Sequence, residues 1–234
     1  MWVVLLAPSA RAQVSNGTFD GFAQDVHPGW EALGKVIDRL ISVTNAPNAT
    51  EPPGTVFTMD AITLNGEGTF PTSDMASFLG GGVTAAQLDA LDASPAAPSF
   101  GSAIAQTFNV AAGEQLTFEY NWISFDDLAD DFSFIYLTGP GGTVLARLAG
   151  FSDLTSPPDN LGGLSGETGL KTYTSLVLAA GSYRLGLGAF NSKANENSGQ
   201  SLLMLDNVTL VPEPTTALPL LVLGGFIARR KARG

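Results

Sequence analysis

Short runs in which apolar and polar residues alternate, each closed by a turn rich in glycine, proline or alanine, fill much of the second half of the chain. In one of these runs Leu116, Phe118, Tyr120 and Trp122 occupy every second position. Successive side chains of a strand point to opposite faces, so this spacing places all four on one face, towards a core. The pattern does not suit an amphipathic helix, and we expect a fold built from strands.

The same pattern recurs along the chain and predicts further strands. Together the predicted strands cover residues 103–110, 115–122, 132–137, 143–148, 173–178, 183–188 and 201–210. The turn Thr138-Gly139-Pro140-Gly141-Gly142 predicts a hairpin between its flanking strands. Many short strands at close spacing are typical of an antiparallel β-sandwich. The expected fold class is therefore mainly β, a jelly-roll-like sandwich spanning residues 13–210.

Two short helices are expected within this framework. Thr84 to Gln87 has the sequence of a capping box and precedes a helix that can continue to Leu91. Ser73 or Asp74 is expected to cap a second helix, which the three glycines after Leu79 would end.

Composition excludes several classes of function. The net charge of −11 argues against nucleic acid as a partner, because the phosphate backbone requires a basic surface. The chain has no cysteine, which excludes disulfides, thiolate metal sites and a cysteine nucleophile. Its single histidine, His27, excludes a zinc site built from histidines, and no Gly-x-Ser-x-Gly motif surrounds any serine. We therefore expect a protein that is not an enzyme, with a glycosidase using Glu119 and Asp126 as the catalytic alternative.

Both ends of the chain carry signals of export. Residues 2–7 are apolar and Ala10-Arg11-Ala12 fits the small-x-small cleavage rule, so residues 1–12 are expected to be a signal peptide that lacks its basic start. Residues 217–228 are all apolar, glycine or proline, and a basic cluster follows them. An apolar stretch closed by basic residues is a stop-transfer pattern, which predicts a C-terminal hydrophobic helix in a membrane. The alternative is a buried core helix, because the 14 residues 215–228 span only about 21 Å as a helix.

Residues 211–234 resemble the PEP-CTERM sorting signal of exported proteins in Gram-negative bacteria that make exopolysaccharide. The Pro-Glu-Pro core is formed by Pro212, Glu213 and Pro214, and the apolar segment follows it. The basic end consists of Arg229, Arg230, Lys231 and Arg233. The resemblance implies that an exosortase, a transpeptidase-like membrane enzyme, recognises the Pro-Glu-Pro core after export. It also implies a mature protein at the outer surface or in the extracellular matrix, held in the membrane only transiently.

The region between the two ends resembles the choice-of-anchor β-sandwich group found on such sorted proteins. The matching segments are Asn16-Gly17-Thr18-Phe19-Asp20, Phe78-Leu79-Gly80, Gly101-Ser102-Ala103-Ile104, Gln106-Thr107-Phe108, Asp131-Phe132-Ser133-Phe134 and Leu205-Asp206-Asn207-Val208-Thr209-Leu210. The first and last of these are also similar to galactose-binding-like carbohydrate modules. That similarity implies that the first and last strands meet beside a structural Ca²⁺, with Asp20 and Asp206 as candidate ligands. The alternative is that both are surface residues at strand ends.

A second candidate cation site is the densest acidic cluster of the chain. Asp126, Asp127, Asp130 and Asp131 lie within six residues between two predicted strands. Carboxylates this close repel one another, and Ca²⁺, which takes about six to eight oxygen ligands, would relieve the repulsion. The alternative is a solvated loop whose charges keep the surface soluble.

Trp30 is the candidate ligand-binding aromatic residue, since it follows a Pro-Gly turn and would stack on a sugar ring if exposed. The main functional prediction is an exported, non-catalytic surface or matrix protein, sorted by an exosortase and associated with exopolysaccharide or biofilm. The alternative is a carbohydrate-binding module with structural calcium. A hydrolase or lyase with a jelly-roll fold is the third hypothesis.

Overall fold

The computed structural model describes residues 13–15, 17–19, 28–34, 36–44, 56–65, 70–91, 98–124, 131–154, 166–192 and 201–213. The strands are β1 (Glu31–Leu33), β2 (Val36–Thr44), β3 (Val56–Asn65), β4 (Pro98–Val110), β5 (Glu114–Ser124), β6 (Phe132–Gly139), β7 (Gly142–Gly150), β8 (Gly166–Glu167), β9 (Lys171–Thr174), β10 (Gly181–Ser192) and β11 (Ser201–Pro212). The helices are α1 (Thr72–Leu79) and α2 (Ala85–Asp89). No helix within these described ranges is both long and apolar enough to cross a membrane. The apolar run at residues 217–228 lies outside them.

The strands form two antiparallel sheets. Sheet I has the order β1-β4-β10-β6-β7, and sheet II has the order β2-β3-β11-β5-β8, with β9 also paired to β5. The predicted hairpin is confirmed, since β6 and β7 pair up to Gly139 and Gly142. The turn at 111–113 instead crosses from sheet I to sheet II, and the chain crosses again between β9, β10 and β11. The prediction of a mainly β, antiparallel architecture is confirmed.

The main core lies between the two sheets. Leu116, Phe118 and Trp122 of β5 are buried and Tyr120 packs against them, as their alternation predicts. From sheet I they meet Ile104 and Phe108 of β4, among other residues. Burial of these large side chains from water is the main favourable term in holding the sheets face to face.

A second core lies on the outer side of sheet I, under the two helices. Met75 and Leu79 of α1 and Leu88 of α2 pack with Phe134 and Phe190 of the sheet. The predicted capping box of α2 is confirmed, because Thr84 and Gln87 bond each other reciprocally. The helices are therefore a lid fixed on one sheet.

Two expectations about local structure are corrected. Helix α1 begins after Pro71 without a side-chain cap, so the predicted cap by Ser73 or Asp74 is wrong; the Ser73 hydroxyl bonds Asp74 instead. The strand predicted at 173–178 corresponds to β9, which covers only Lys171–Thr174. It ends at Thr174 because the N–H of Leu116 on the neighbouring strand donates to the side-chain hydroxyl of Ser175. Strands β1 to β3 were not predicted. The predicted end of α1 is confirmed, since Gly80 follows it with φ of 68°.

Candidate functional site

The outer face of sheet I is divided into two halves. The half under the helices is apolar, whereas the other half carries polar side chains and is open to solvent. We call this open part the polar half-face; its residues are Glu31, Thr107, Asn109, Thr138, Thr143, Ser182 and Arg184. The division follows from the sequence of β4, in which Ala103 and Ala105 precede Thr107 and Asn109 on the same face.

Within the polar half-face, the side chain of Arg184 is held in place by several hydrogen bonds. Its guanidinium donates to both carboxylate oxygens of Glu31, at 2.8 and 3.0 Å. It also donates to the carbonyl oxygens of Leu79 and Phe78, at 2.7 and 2.8 Å, and lies 5.8 Å from the centroid of the Phe78 ring. Since the last carbonyls of a helix have no partner within it, Arg184 satisfies two such acceptors of α1 and locks the helix to β10.

The hydrogen bonds from Arg184 hold the pKa of Glu31 below its usual value, while partial desolvation opposes them. The same contacts raise the pKa of Arg184. The Glu31 side chain is 59% exposed and that of Arg184 is 20% exposed, so the pair is open to water on the side of Glu31. A pair of this kind contributes little to stability by itself, on the order of 0–1 kcal/mol.

Separate substitutions distinguish the two roles of Arg184. We expect Arg184→Ala to lower the free energy of unfolding by about 1–2 kcal/mol, because the α1 carbonyls lose a charged donor. We expect Glu31→Gln to cost less than about 1 kcal/mol, because the ion pair is exposed. Folding lowers the pKa of Glu31. The carboxylate therefore adds to the free energy of unfolding above its unfolded-state pKa, and this stabilisation is lost as the pH falls through the folded-state pKa. Urea unfolding between neutral and acidic pH measures both effects, and an equal cost for the two variants would contradict this assignment.

The remaining side chains of the polar half-face both donate and accept hydrogen bonds. Thr107, Asn109, Thr143 and Ser182 are exposed, and the hydroxyls of Thr138 and Thr143 bond each other at 2.8 Å. Hydroxyl and amide groups suit a ligand that carries many hydroxyls, since each can act as donor or acceptor. The face therefore presents neutral polar groups around the guanidinium of Arg184 and the carboxylate of Glu31, which hold each other in place.

Of the two predicted calcium ligands at the chain ends, the structure describes Asp206 but not Asp20. Asp206 precedes a bulge in β11, where Asn207 has φ of 53° and donates to Glu119 at 2.8 Å. Beside the bulge, the N–H of Val208 donates to the carbonyl of Gly17 at 2.8 Å. The opening segment, which is not in a strand at residues 17–19, therefore meets the last strand. Calcium at this point stays a prediction, since Asp20 lies outside the described residues.

Of the acidic cluster, Asp126, Asp127 and Asp130 lie outside the described residues, and Asp131 lies within them. The Asp131 side chain is buried and accepts a hydrogen bond from Ser201 at 2.5 Å. Ser201 also bonds Ser124 at 3.2 Å, so this carboxylate lies in a buried network at one end of the sandwich. Within the described ranges, no group of three acidic or histidine side chains is placed to hold a metal ion. Calcium binding by the cluster also stays a prediction.

Trp30 is 7% exposed, and its ring centroid lies 5.3 Å from that of Phe19. This corrects the expectation of an exposed ring: Trp30 packs into the main core, as tryptophan usually does. Of the sorting motif, Pro212 ends β11 and the N–H of Glu213 donates to Gly113 at 2.8 Å. Pro214, Arg229, Arg230, Lys231 and Arg233 lie outside the described residues.

Reasoning from sequence missed the polar half-face. Its signal was present in β10, where Ser182 and Arg184 precede Gly186, Gly188 and Phe190 on the same face. Such a change from polar to apolar along one face marks where a covering element ends. Neighbouring strands had to be aligned before the change became visible, because the face is assembled from five strands, of which only β6 and β7 are neighbours in sequence.

No protein-family model and no curated protein matches this sequence. Among solved structures, TmCBM61 in complex with β-1,4-galactotriose is similar, with a TM-score of 0.39 at 12% identity, and the match covers 87% of this chain and all of that one. A structure described as the basis for promiscuous specificity of carbohydrate-binding modules of the β-sandwich superfamily has a TM-score of 0.34 at 13% identity, covering 78% of this chain and 57% of that one. The K3 cleaved adhesin domain of Lys-gingipain from Porphyromonas gingivalis has a TM-score of 0.36 at 12% identity, and the match covers 79% of this chain and 92% of that one. Likenesses at this level assign neither a family nor a ligand.

Proposed function

We propose that this chain is a non-catalytic carbohydrate-binding module of an exported, surface-associated protein. The observation that carries the proposal is the polar half-face, an open sheet surface whose neutral hydroxyl and amide groups surround the fixed Arg184–Glu31 pair. A polysaccharide carries hydroxyls along its length that can each donate and accept hydrogen bonds, and such groups complement this surface.

The arrangement is suited to binding because its charged groups are already held in place. Arg184 is fixed by α1 and by Glu31, so a ligand need not order this long side chain when it binds. Pre-organisation of this kind reduces the entropy lost on association. The helical lid ends beside these residues, at Phe78 and Leu79, so α1 borders the face on one side.

Affinity electrophoresis in gels containing single polysaccharides tests the proposal. The panel includes a β-1,4-galactan, an acidic exopolysaccharide and a neutral glucan. We expect at least one polymer to retard the native protein, and the double variant Thr107→Ala with Asn109→Ala to bind roughly thirtyfold more weakly, since two hydrogen bonds of about 1 kcal/mol each are lost.

The matched control is Thr172→Ala with Thr174→Ala, two exposed residues of β9 on the other sheet. This variant should bind like the native protein. Retardation by no polymer, or an equal loss in both double variants, would reject binding at the polar half-face.

Export is the second part of the proposal, and the sequence supports it. We expect an exosortase to process the chain at Pro212-Glu213-Pro214 after secretion, which places the module at the outer surface or in an exopolysaccharide matrix. The jelly-roll path of the strands, the C-terminal hydrophobic helix and structural calcium belong to the same proposal.

Replacing Pro212, Glu213 and Pro214 together by alanine is expected to leave the tail uncleaved in a host that possesses an exosortase. A tag placed after Gly234 would then persist on a blot of the envelope fraction, whereas the native chain would lose it. Identical processing of the two chains would remove the sorting hypothesis and leave glycan binding untouched.

A further inference from the structure

The chain leaves the described structure at one end of the sandwich. Strand β11 ends at Pro212, and the N–H of Glu213 donates to Gly113, in the turn between β4 and β5. Gly113 in turn donates to the carbonyl of Leu178 at 3.2 Å, in the segment between β9 and β10. Glu213 is therefore bonded to the turn between β4 and β5, which is itself bonded to the segment between β9 and β10.

A third turn lies beside them. The position of a Cβ at Gly181, where β10 begins, is 2.5 Å from the Cγ of Pro140, in the turn between β6 and β7. The N–H of Gly141 in that turn donates to the Tyr183 hydroxyl at 3.2 Å. We call these three turns the exit end; its residues are 111–113, 140–142 and 176–180.

The exit end carries no charged residue, although the chain as a whole has a net charge of −11. The adjoining Glu114 is buried, and its carboxylate accepts from the N–H of Ala111 at 2.8 Å. Glu213, at the exit point itself, is half-buried. Ala111, Ala112, Ala179 and Ala180 are exposed and uncharged.

Exposed apolar side chains are concentrated at this end. Leu176 is 85% exposed and Val177 is 44% exposed, while Val144, next to the third turn, is 41% exposed. Of the large hydrophobic residues exposed in the described part of the chain, only Leu170 lies elsewhere. An exposed leucine is ordinary by itself, but clustering on an uncharged surface marks an interaction site.

The short distance in sequence between Glu213 and the apolar run indicates what covers this surface. The apolar run begins at Ala217, four residues after Glu213, and an extended chain of that length spans at most about 14 Å. If residues 217–228 enter a bilayer, the exit end is held within that distance of the membrane surface. An uncharged end with protruding Leu176 and Val177 then faces lipid.

We propose that the exit end rests on the bilayer, with Leu176 and Val177 inserted into its interfacial region. The contact fixes the orientation of the module and directs its opposite end, where β5 ends at Ser124 and β6 begins at Phe132, away from the membrane. Because the exit end has no basic residue, the contact is apolar and requires no anionic lipid. The proposal does not depend on glycan binding, and it treats the tail as present, before any processing.

Single-cysteine labelling of the full chain tests this contact, since the native sequence contains no cysteine. Leu176→Cys and, separately, Val177→Cys carry an environment-sensitive nitrobenzoxadiazole dye, and the protein is reconstituted in phosphatidylcholine vesicles. Leu170→Cys is the matched control, because Leu170 is 55% exposed but lies outside the exit end. Melting curves of the labelled proteins establish that all three remain folded.

We expect the dye at 176 and 177 to emit at shorter wavelength on vesicles, to be quenched by lipids with a headgroup-level nitroxide and to be protected from aqueous iodide. The dye at 170 should remain accessible to iodide. Equal iodide quenching at 170 and 176, or failure of the full chain to bind the vesicles, would overturn the proposal. Disulfide-linked dimers of the unlabelled Leu176→Cys protein, formed without nitroxide quenching at 176, would instead assign the surface to a second copy of the chain.

Discussion

Replacing Phe190 by alanine is expected to lower the free energy of unfolding by about 3–5 kcal/mol. Phe190 is fully buried in the core between the helices and sheet I, and its ring lies 5.4 Å from Phe132 and 5.3 Å from Phe134, centroid to centroid. The cavity cannot collapse readily, because α1 is also fixed by Arg184 at its end. The cost therefore includes lost burial and an unfilled volume.

Leu176→Ala is the matched control for this substitution. It removes a large apolar side chain that is 85% exposed, so we expect a change within about 0.5 kcal/mol. Chemical unfolding of both variants in urea measures the difference. Comparable losses for Phe190 and Leu176 would contradict the assignment of Phe190 to a lid core, and also the exposure of Leu176 in the free protein.

Local sequence patterns predicted the elements whose determinants lie close together in the chain. Alternation in β5 identified its inward face, and the glycines after Leu79 identified the end of α1. The Thr84–Gln87 box identified the start of α2. In each example, neighbouring residues decide the conformation through side-chain direction, backbone freedom or a local hydrogen bond.

The assignment of strands to sheets could not be predicted in this way. The turn at 111–113 is compatible with a hairpin, yet β4 and β5 belong to different sheets because each pairs with a strand far away in sequence. The candidate site was missed for the same reason. Arg184 contacts Glu31 across 153 positions and Leu79 across 105 positions, and nothing near Arg184 specifies either partner.

Trp30 shows how a local rule can mislead. Its place after a Pro-Gly turn suggests exposure, but Gly29 is held by long-range contacts. Its carbonyl accepts from the Gln106 side chain at 2.6 Å, and Gln106 also exchanges two hydrogen bonds with the backbone of Ser15. These bonds draw both N-terminal segments onto β4, which buries the indole in the main core.

Gly17→Ala is expected to lower the free energy of unfolding by about 3 kcal/mol, the upper end of the range for over-packing. A Cβ at this position would overlap the carbonyl oxygen of Val208 and lie 2.8 Å from its carbonyl carbon. Both sides of the collision are backbone, so a side-chain rotation cannot relieve it. The hydrogen bond from the N–H of Val208 to Gly17 must then lengthen or break, which separates the opening segment from the last strand.

Ser15→Ala is the control for Gly17→Ala, because Ser15 is exposed and its two bonds to Gln106 use only backbone atoms. Thermal melting should show a lower Tm for Gly17→Ala alone. Amide hydrogen exchange adds a local measurement: the Val208 amide should lose more protection than that of Leu185, which lies in the middle of sheet I and is fully buried. A native Tm with a protected Val208 amide would mean that the two segments do not meet as described. A fall in Tm with uniform loss of protection would mean that their contact unfolds only together with the whole sandwich.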